Sequence, residues 1–81
     1  MDRYYFDTRD DGEVVTDDVG LEVTDLETVK VIAAKGLAEM AVDVLPGSSE
    51  RCLGIEVRDL QSQPVLTTEL TFKARVLVSH G

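Results

Sequence analysis

The most regular hydrophobic pattern lies in the middle of the chain and predicts an α-helix. Apolar residues recur there at spacings of three and four, which places them on one stripe of a helix: Leu26, Val29, Ala33, Leu37, Met40 and Val44. Thr24 and Glu27 have the spacing of a capping box, and Asp25 favours the positive end of the helix dipole. Pro46 predicts the end of the helix, because the residue before a proline is biased away from helical geometry. Gly36, inside the pattern, indicates a close approach of the helix backbone to a sheet.

Alternation of apolar and polar residues predicts strands on both sides of this helix. Residues 3–8 are predicted as the first strand, and Asp11 with Gly12 is a hairpin signal that leads into a second strand over residues 13–16. Residues 17–23 are predicted as a loop that contains a glycine turn.

Two further strands, over residues 52–58 and 66–75, follow the helix and are joined by a short hairpin. The order ββαββ predicts an α+β fold: a two-layer sandwich in which a four-stranded antiparallel sheet carries one helix packed on one face. Residues 1–81 are predicted to form a single domain, with a frayed end at residues 78–81. Apolar residues on the uncovered face, or a sheet edge, are expected to support a homodimer; those residues are Tyr5, Cys52, Val65 and Leu77.

Charge adds more to this picture than composition does. Hydrophobic residues make up 43% of the chain and charged residues 30%, a balance typical of a globular protein. The formal net charge is −8, which argues against nucleic acid as a partner. The sequence shows neither a membrane span nor the pattern of a secretory signal, and it therefore predicts a cytoplasmic protein that does not bind membranes.

The acidic residues are concentrated at the start of the chain. Residues 1–27 hold ten acidic residues and two arginines, whereas the acidic and basic residues of the remaining chain balance. We therefore predict that the acidic segment, residues 7–18, contacts a protein partner with a basic surface. The interaction residues of this segment are Asp7, Asp10, Asp11, Glu13, Asp17 and Asp18.

The acidic segment also has a partial resemblance to a calcium-binding loop. Counted from Asp7, carboxylates fall at positions one, five and twelve of an EF-hand loop, and Gly12 falls at position six. Arg9 occupies the third position, however, and a guanidinium among the ligands opposes a divalent cation. Asp18 replaces the bidentate glutamate at position twelve. We therefore predict a solvated acidic turn and no metal site.

No pattern in the sequence indicates catalysis or a cofactor. His80 is the only imidazole and lies next to the last residue, and Cys52 is the only cysteine, which favours a half-buried structural thiol. Asp10 and Asp11 form a carboxylate pair, but the surrounding turn residues indicate that both are in water. We predict that the protein is not an enzyme and that it uses no cofactor.

Several short motifs resemble a family of small bacterial domains of unknown function, found mainly in alphaproteobacteria. The motifs are the R-Y-Y-F-D opening at residues 3–7, the loop over residues 18–22, the helix core over residues 34–39, the strand end over residues 57–59 and the closing residues 70–72. The resemblance implies a self-contained bacterial domain and supplies no activity. Residues 60–63 depart from the family pattern, which has acidic residues and glycine in this turn.

Two functional hypotheses follow from these patterns. The first is a non-catalytic protein-interaction module, either alone or paired with a second copy, whose acidic segment meets a basic protein surface. The second is an antitoxin-like or nucleic-acid-mimicking regulator that neutralises a basic partner protein. A neighbouring gene for a small basic nuclease would favour the second hypothesis.

Overall fold

The structure, a computed structural model, describes residues 2–78 and has an α+β architecture. Its elements are β1 (Asp2–Asp10), β2 (Glu13–Val15), β3 (Leu21–Val23), α1 (Leu26–Val44), β4 (Glu50–Arg58) and β5 (Pro64–Lys73), with a short 3-10 helix (Leu45–Gly47) after α1. The predicted helix, packed on one face of an antiparallel sheet, is confirmed. Residues 79–81 of the predicted frayed end, and with them His80, lie outside the described residues.

The sheet contains the four predicted strands and a fifth, short strand that was predicted as a loop. Its order is β2-β1-β4-β5. The two short strands both pair with β1, β2 at its end and β3 at its start. All neighbouring strands are antiparallel. The additional strand, β3, lies inside the segment predicted as a loop, because the chain after Gly20 returns to the start of β1 and pairs there.

The core lies between α1 and the face of the sheet formed by β1, β3 and β4. It consists of residues with at most 9% exposure: Tyr4, Val23, Val29, Ala33, Leu37, Leu53, Ile55 and Val57. Gly36 makes the predicted close approach, since a Cβ atom there would lie 3.0 Å from the Cδ1 of Ile55 on β4. The alternation predicted for β5 is confirmed: Leu66 and Leu70 are half-buried and pack against the core, and Phe72 is half-buried on the same face of the strand.

Two local details differ from the sequence prediction, and a third concerns the turn in which the chain departs from the family pattern. Asp25, and not Thr24, caps α1, because its side chain accepts a hydrogen bond from the amide of Thr28 at 2.8 Å. Val65, predicted to lie on the uncovered face, packs against the core because a register shift near Val57 breaks the alternation at the start of β5. The turn before β5 places Ser62 at φ 64°, a left-handed position that glycine usually occupies.

Candidate functional site

The acidic segment forms the hairpin of β1 and β2 and the loop that follows it. Asp11 and Gly12 have positive φ angles of 48° and 93°, so the predicted hairpin turn is confirmed. After β2 the chain follows the edge of β1 that faces away from β4. Residues 16–20 leave that edge before β3 joins it, and this gap in the pairing is where Asp17 lies.

Asp17 fills the gap with its side chain. Its Oδ2 accepts a hydrogen bond from the amide of Phe6 at 3.0 Å, and its Oδ1 accepts from the amides of Val19 at 3.0 Å and Gly20 at 3.1 Å. The bond from Phe6 is the largest of the causes that lower the pKa of Asp17, so the carboxylate stays ionised. Between β2 and β3, the Asp17 carboxylate thus accepts the hydrogen bond from β1 that the backbone of a paired strand would otherwise accept.

Asp7 lies on the uncovered face of the sheet, where it pairs with Arg58. The Nε of Arg58 donates to the Oδ2 of Asp7 at 2.9 Å, and its Nη2 donates to the carbonyl oxygen of Asp17 at 2.7 Å. The amide of Asp17 in turn donates to the Oδ1 of Asp7 at 2.8 Å. The Arg58 guanidinium also lies 4.6 Å from the centre of the Tyr5 ring. These contacts attach the loop to the end of β4.

Asp10 and Asp11 bind residues at the start of β4. Arg51 donates to both carboxylate oxygens of Asp10, from Nε at 2.7 Å and from Nη2 at 2.9 Å, which is a bidentate pair. This bond with Arg51 lowers the pKa of Asp10. The Oδ1 of Asp11 accepts from the amide of Cys52 at 2.8 Å. Both carboxylates therefore connect the turn between β1 and β2 to the start of β4.

Glu13 and Asp18 differ from the other four predicted residues. Both side chains are exposed, and neither takes part in a hydrogen bond or ion pair within residues 2–78. Exposed valines lie beside them: Val14 is 59% exposed, Val15 68% and Val19 73%. We call these five residues, Glu13, Val14, Val15, Asp18 and Val19, the acidic edge.

The acidic segment does not form the calcium loop that its spacing resembles. Asp7 and Asp11 are held by different groups on β4, and Arg9 pairs with Glu56 at 3.2 Å. Across the part of the chain that the structure describes, no group of three or more His, Cys, Asp or Glu side chains is placed to hold a metal ion.

Two hollows lie elsewhere on the surface. One, of about 420 Å³, lies between the start of α1, β3 and the turn before β5, and includes Tyr4, Glu22 and Leu26 in its lining. The other, of about 530 Å³, is apolar and is lined by Ala41, Val42, Leu45, Pro46 and Phe72. Cys52 is half-buried on the uncovered face, with the Oγ1 of Thr71 3.9 Å from its sulfur.

Arg51 and Arg58 are the residues of this region that sequence reasoning missed. Each bonds an aspartate more than forty positions earlier in the chain, so only the pairing of β1 with β4 brings them together. Alternation along β4 places the two arginines on opposite faces, but it does not indicate their partners.

Comparison with protein families gives one match. The model of the family described as Domain of unknown function (DUF6894) matches residues 3–71. No curated protein and no solved structure matches the chain. Within residues 2–78, no helix has the length and apolar character that crossing a membrane requires.

Proposed function

The chain belongs to the family described as Domain of unknown function (DUF6894), and from this premise we propose that it is a non-catalytic protein-interaction module for a partner with a basic surface. A bacterial origin and a cytoplasmic location are part of the same proposal. The observation that carries it is the acidic edge, where exposed carboxylates and exposed valines are neighbours along the chain.

The acidic edge combines two features of a protein contact. Val14, Val15 and Val19 offer apolar area that stays in water in the isolated chain. Glu13 and Asp18 flank this area, and neither forms an ion pair within residues 2–78, although the charge of Glu13 is felt by Arg51 and helps to raise its pKa. A partner with lysines or arginines around an apolar contact would match both features, with the charges favouring encounter and the valines favouring retention.

The rest of the acidic segment supports this edge without competing for the partner. The carboxylates of Asp7, Asp10, Asp11 and Asp17 hold β1, β2 and the loop in place through hydrogen bonds. The lowered pKa values of Asp10 and Asp17 keep these groups ionised near neutral pH. The edge is therefore presented on a rigid support, which reduces the entropy lost on binding.

The test is affinity purification with the chain as bait and quantitative mass spectrometry of the proteins retained. We expect the variant Glu13→Lys/Asp18→Lys to lose basic partners that the wild type retains, and high salt to have the same effect. The variant Glu39→Lys/Asp43→Lys makes the same change in net charge on α1 and is expected to retain them. Equal retention by both double variants would overturn the proposal.

The alternative, an antitoxin-like or nucleic-acid-mimicking regulator, remains a prediction. A mimic of a phosphate backbone needs a row of free carboxylates, because closely spaced charge is what a nucleic-acid-binding protein recognises. Four of the six predicted acidic residues instead bind arginines or amides of the chain itself. The interaction module accounts for this arrangement better. An adjacent gene for a basic effector would favour the regulator.

A further inference from the structure

The free edge of β5 is the longest unpaired strand edge in the part of the chain that the structure describes. β5 runs over ten residues, Pro64–Lys73, and only β4 pairs with it. The amide of Ala74 donates to the carbonyl of Ser49, which continues the register of the two strands. Because backbone groups alternate along a strand, Thr67, Glu69, Thr71 and Lys73 direct their amides and carbonyls away from β4.

We propose that this edge pairs with the same edge of a second copy, antiparallel and with the two-fold axis at Thr71. This inference goes beyond the proposed function, because it uses the edge of the sheet opposite to the acidic edge. It joins two five-stranded sheets into one continuous sheet.

Charge determines the register. Glu69 and Lys73 project from the uncovered face, and neither forms an ion pair within residues 2–78, although Lys73 lies opposite Glu50 of β4 in the strand register. With Thr71 opposite its own copy, each Glu69 lies directly opposite the Lys73 of the other chain, which gives two symmetric ion pairs. A shift that centres the axis on Glu69 would instead place the two glutamates opposite each other, and a shift to Lys73 would oppose the two lysines.

The apolar surface next to this axis supports the same partner. Phe72 is the neighbour of Thr71 and lines the apolar hollow of about 530 Å³ together with Ala41, Val42 and Leu45. Val42 is 73% exposed, and Val31, on the same flank of α1, is 55% exposed. A second copy places Leu70 opposite Phe72 and brings the same flank of its own α1 toward this hollow.

The residues after β5 fit the same register. Residues 74–78 follow β5 without regular secondary structure, and Val76 and Leu77 are 89% and 88% exposed. In the dimer this segment runs along the start of β5 in the other chain, so that Val76 lies opposite Leu66. The exposed apolar side chains thereby gain a strand to pair with.

The test is sedimentation velocity of the full chain from about 1 µM to about 1 mM, a range that covers weak to moderate dimers. Glu69→Lys and Lys73→Glu are each expected to weaken the dimer about tenfold to a hundredfold, because each opposes like charges at two symmetric positions between the copies. Lys73→Glu also opposes Glu50 of its own chain, so native circular dichroism of each variant is checked first. The double variant E69K/K73E restores the ion pairs and is expected to return within about threefold of the wild type. Asp18→Lys, in the exposed loop after β2, makes the same change in net charge as Glu69→Lys without breaking an ion pair and is expected to have no comparable effect.

Two backbone measurements complete the test. Thr71→Pro removes an amide that points away from β4 and is expected to abolish the dimer while the circular dichroism stays native, whereas Thr71→Val keeps the amide and the dimer. Hydrogen exchange at high concentration is expected to protect the amides of Glu69, Thr71 and Lys73, which exchange fast at low concentration. A chain that stays monomeric to about 1 mM, or a dimer that the E69K/K73E pair does not affect as stated, would overturn the inference. Neither result bears on the proposal that the acidic edge binds a basic partner.

Discussion

The sharpest prediction concerns Asp17, because one side chain there replaces part of a strand. In the variant Asp17→Ala, the amides of Phe6, Val19 and Gly20 lose their acceptor at once. Hydrogen bonds to charged groups contribute about 1.5 to 3 kcal/mol each, but the two loop amides reach water when the carboxylate is removed, so the expected total is about 3 kcal/mol. A domain of this length has a free energy of unfolding of about 4 to 12 kcal/mol. The variant therefore loses a large fraction of its stability.

The measurement is urea unfolding followed by circular dichroism at pH 7, with Asp18→Ala as the matched control. Asp18 is exposed, and its replacement is expected to cost less than about 0.5 kcal/mol. Asp17→Asn keeps one oxygen acceptor but offers a donor to the other amides, so its loss is expected to be about half that of Asp17→Ala. If Asp17→Ala and Asp18→Ala unfold at the same urea concentration, the carboxylate does not support the edge of β1 and this reasoning fails.

Three further predictions concern the stability of the fold: its pH dependence, the turn at Gly20 and the cap of α1. The free energy of unfolding is expected to decrease as the pH falls below about 4, because the folded-state pKa values of Asp10, Asp17 and Asp25 lie below the usual 3.8. The stability that these carboxylates contribute above that pH is lost as each is protonated. A series of urea unfolding curves between pH 7 and pH 3 measures this decrease, and an unchanged urea midpoint would contradict it. Gly20→Ala is expected to lower the free energy of unfolding by about 2 kcal/mol, because the residue has φ 77° and a Cβ atom there would lie 2.9 Å from the Tyr5 ring. Thermal unfolding measures this loss. Gly47→Ala is the control for a general effect of alanine, because a Cβ atom at Gly47 meets nothing within 4 Å. Asp25→Ala is expected to lower the melting temperature more than Thr24→Ala, because Asp25 bonds the Thr28 amide; the reverse order would restore Thr24 as the cap.

The elements that local patterns define were predictable from the sequence. The stripe of apolar residues from Leu26 to Val44 predicted α1, and Asp11 with Gly12 predicted the turn between β1 and β2, because both patterns depend on neighbouring residues alone. The capping residue was missed by one position, since Thr24 and Asp25 both have side chains that cap helices. Only the course of the backbone decides between them.

The features that distant pairing defines were not predictable in the same way. β3 has three residues, Leu21–Val23, and its pattern is too short to distinguish it from a loop. The sequence does not distinguish Asp17 from the other aspartates of the acidic segment. Its role depends on the length of β1, which extends beyond its pairing with β2. Arg58 pairs with Asp7 because the sheet places β4 beside β1, and no local pattern indicates which strands are neighbours.

The pairing of β1 with β4 has a consequence for synthesis of the chain. Tyr5 pairs with Arg58 and Asp10 with Leu53, so the ribosome must add more than forty residues after β1 before its central partner emerges. At about 5 to 20 residues per second, the nascent β1 waits roughly 2 to 10 seconds with this side exposed. The surplus of acidic residues in the first 27 positions repels identical nascent chains during this interval, and so opposes their aggregation on a polysome.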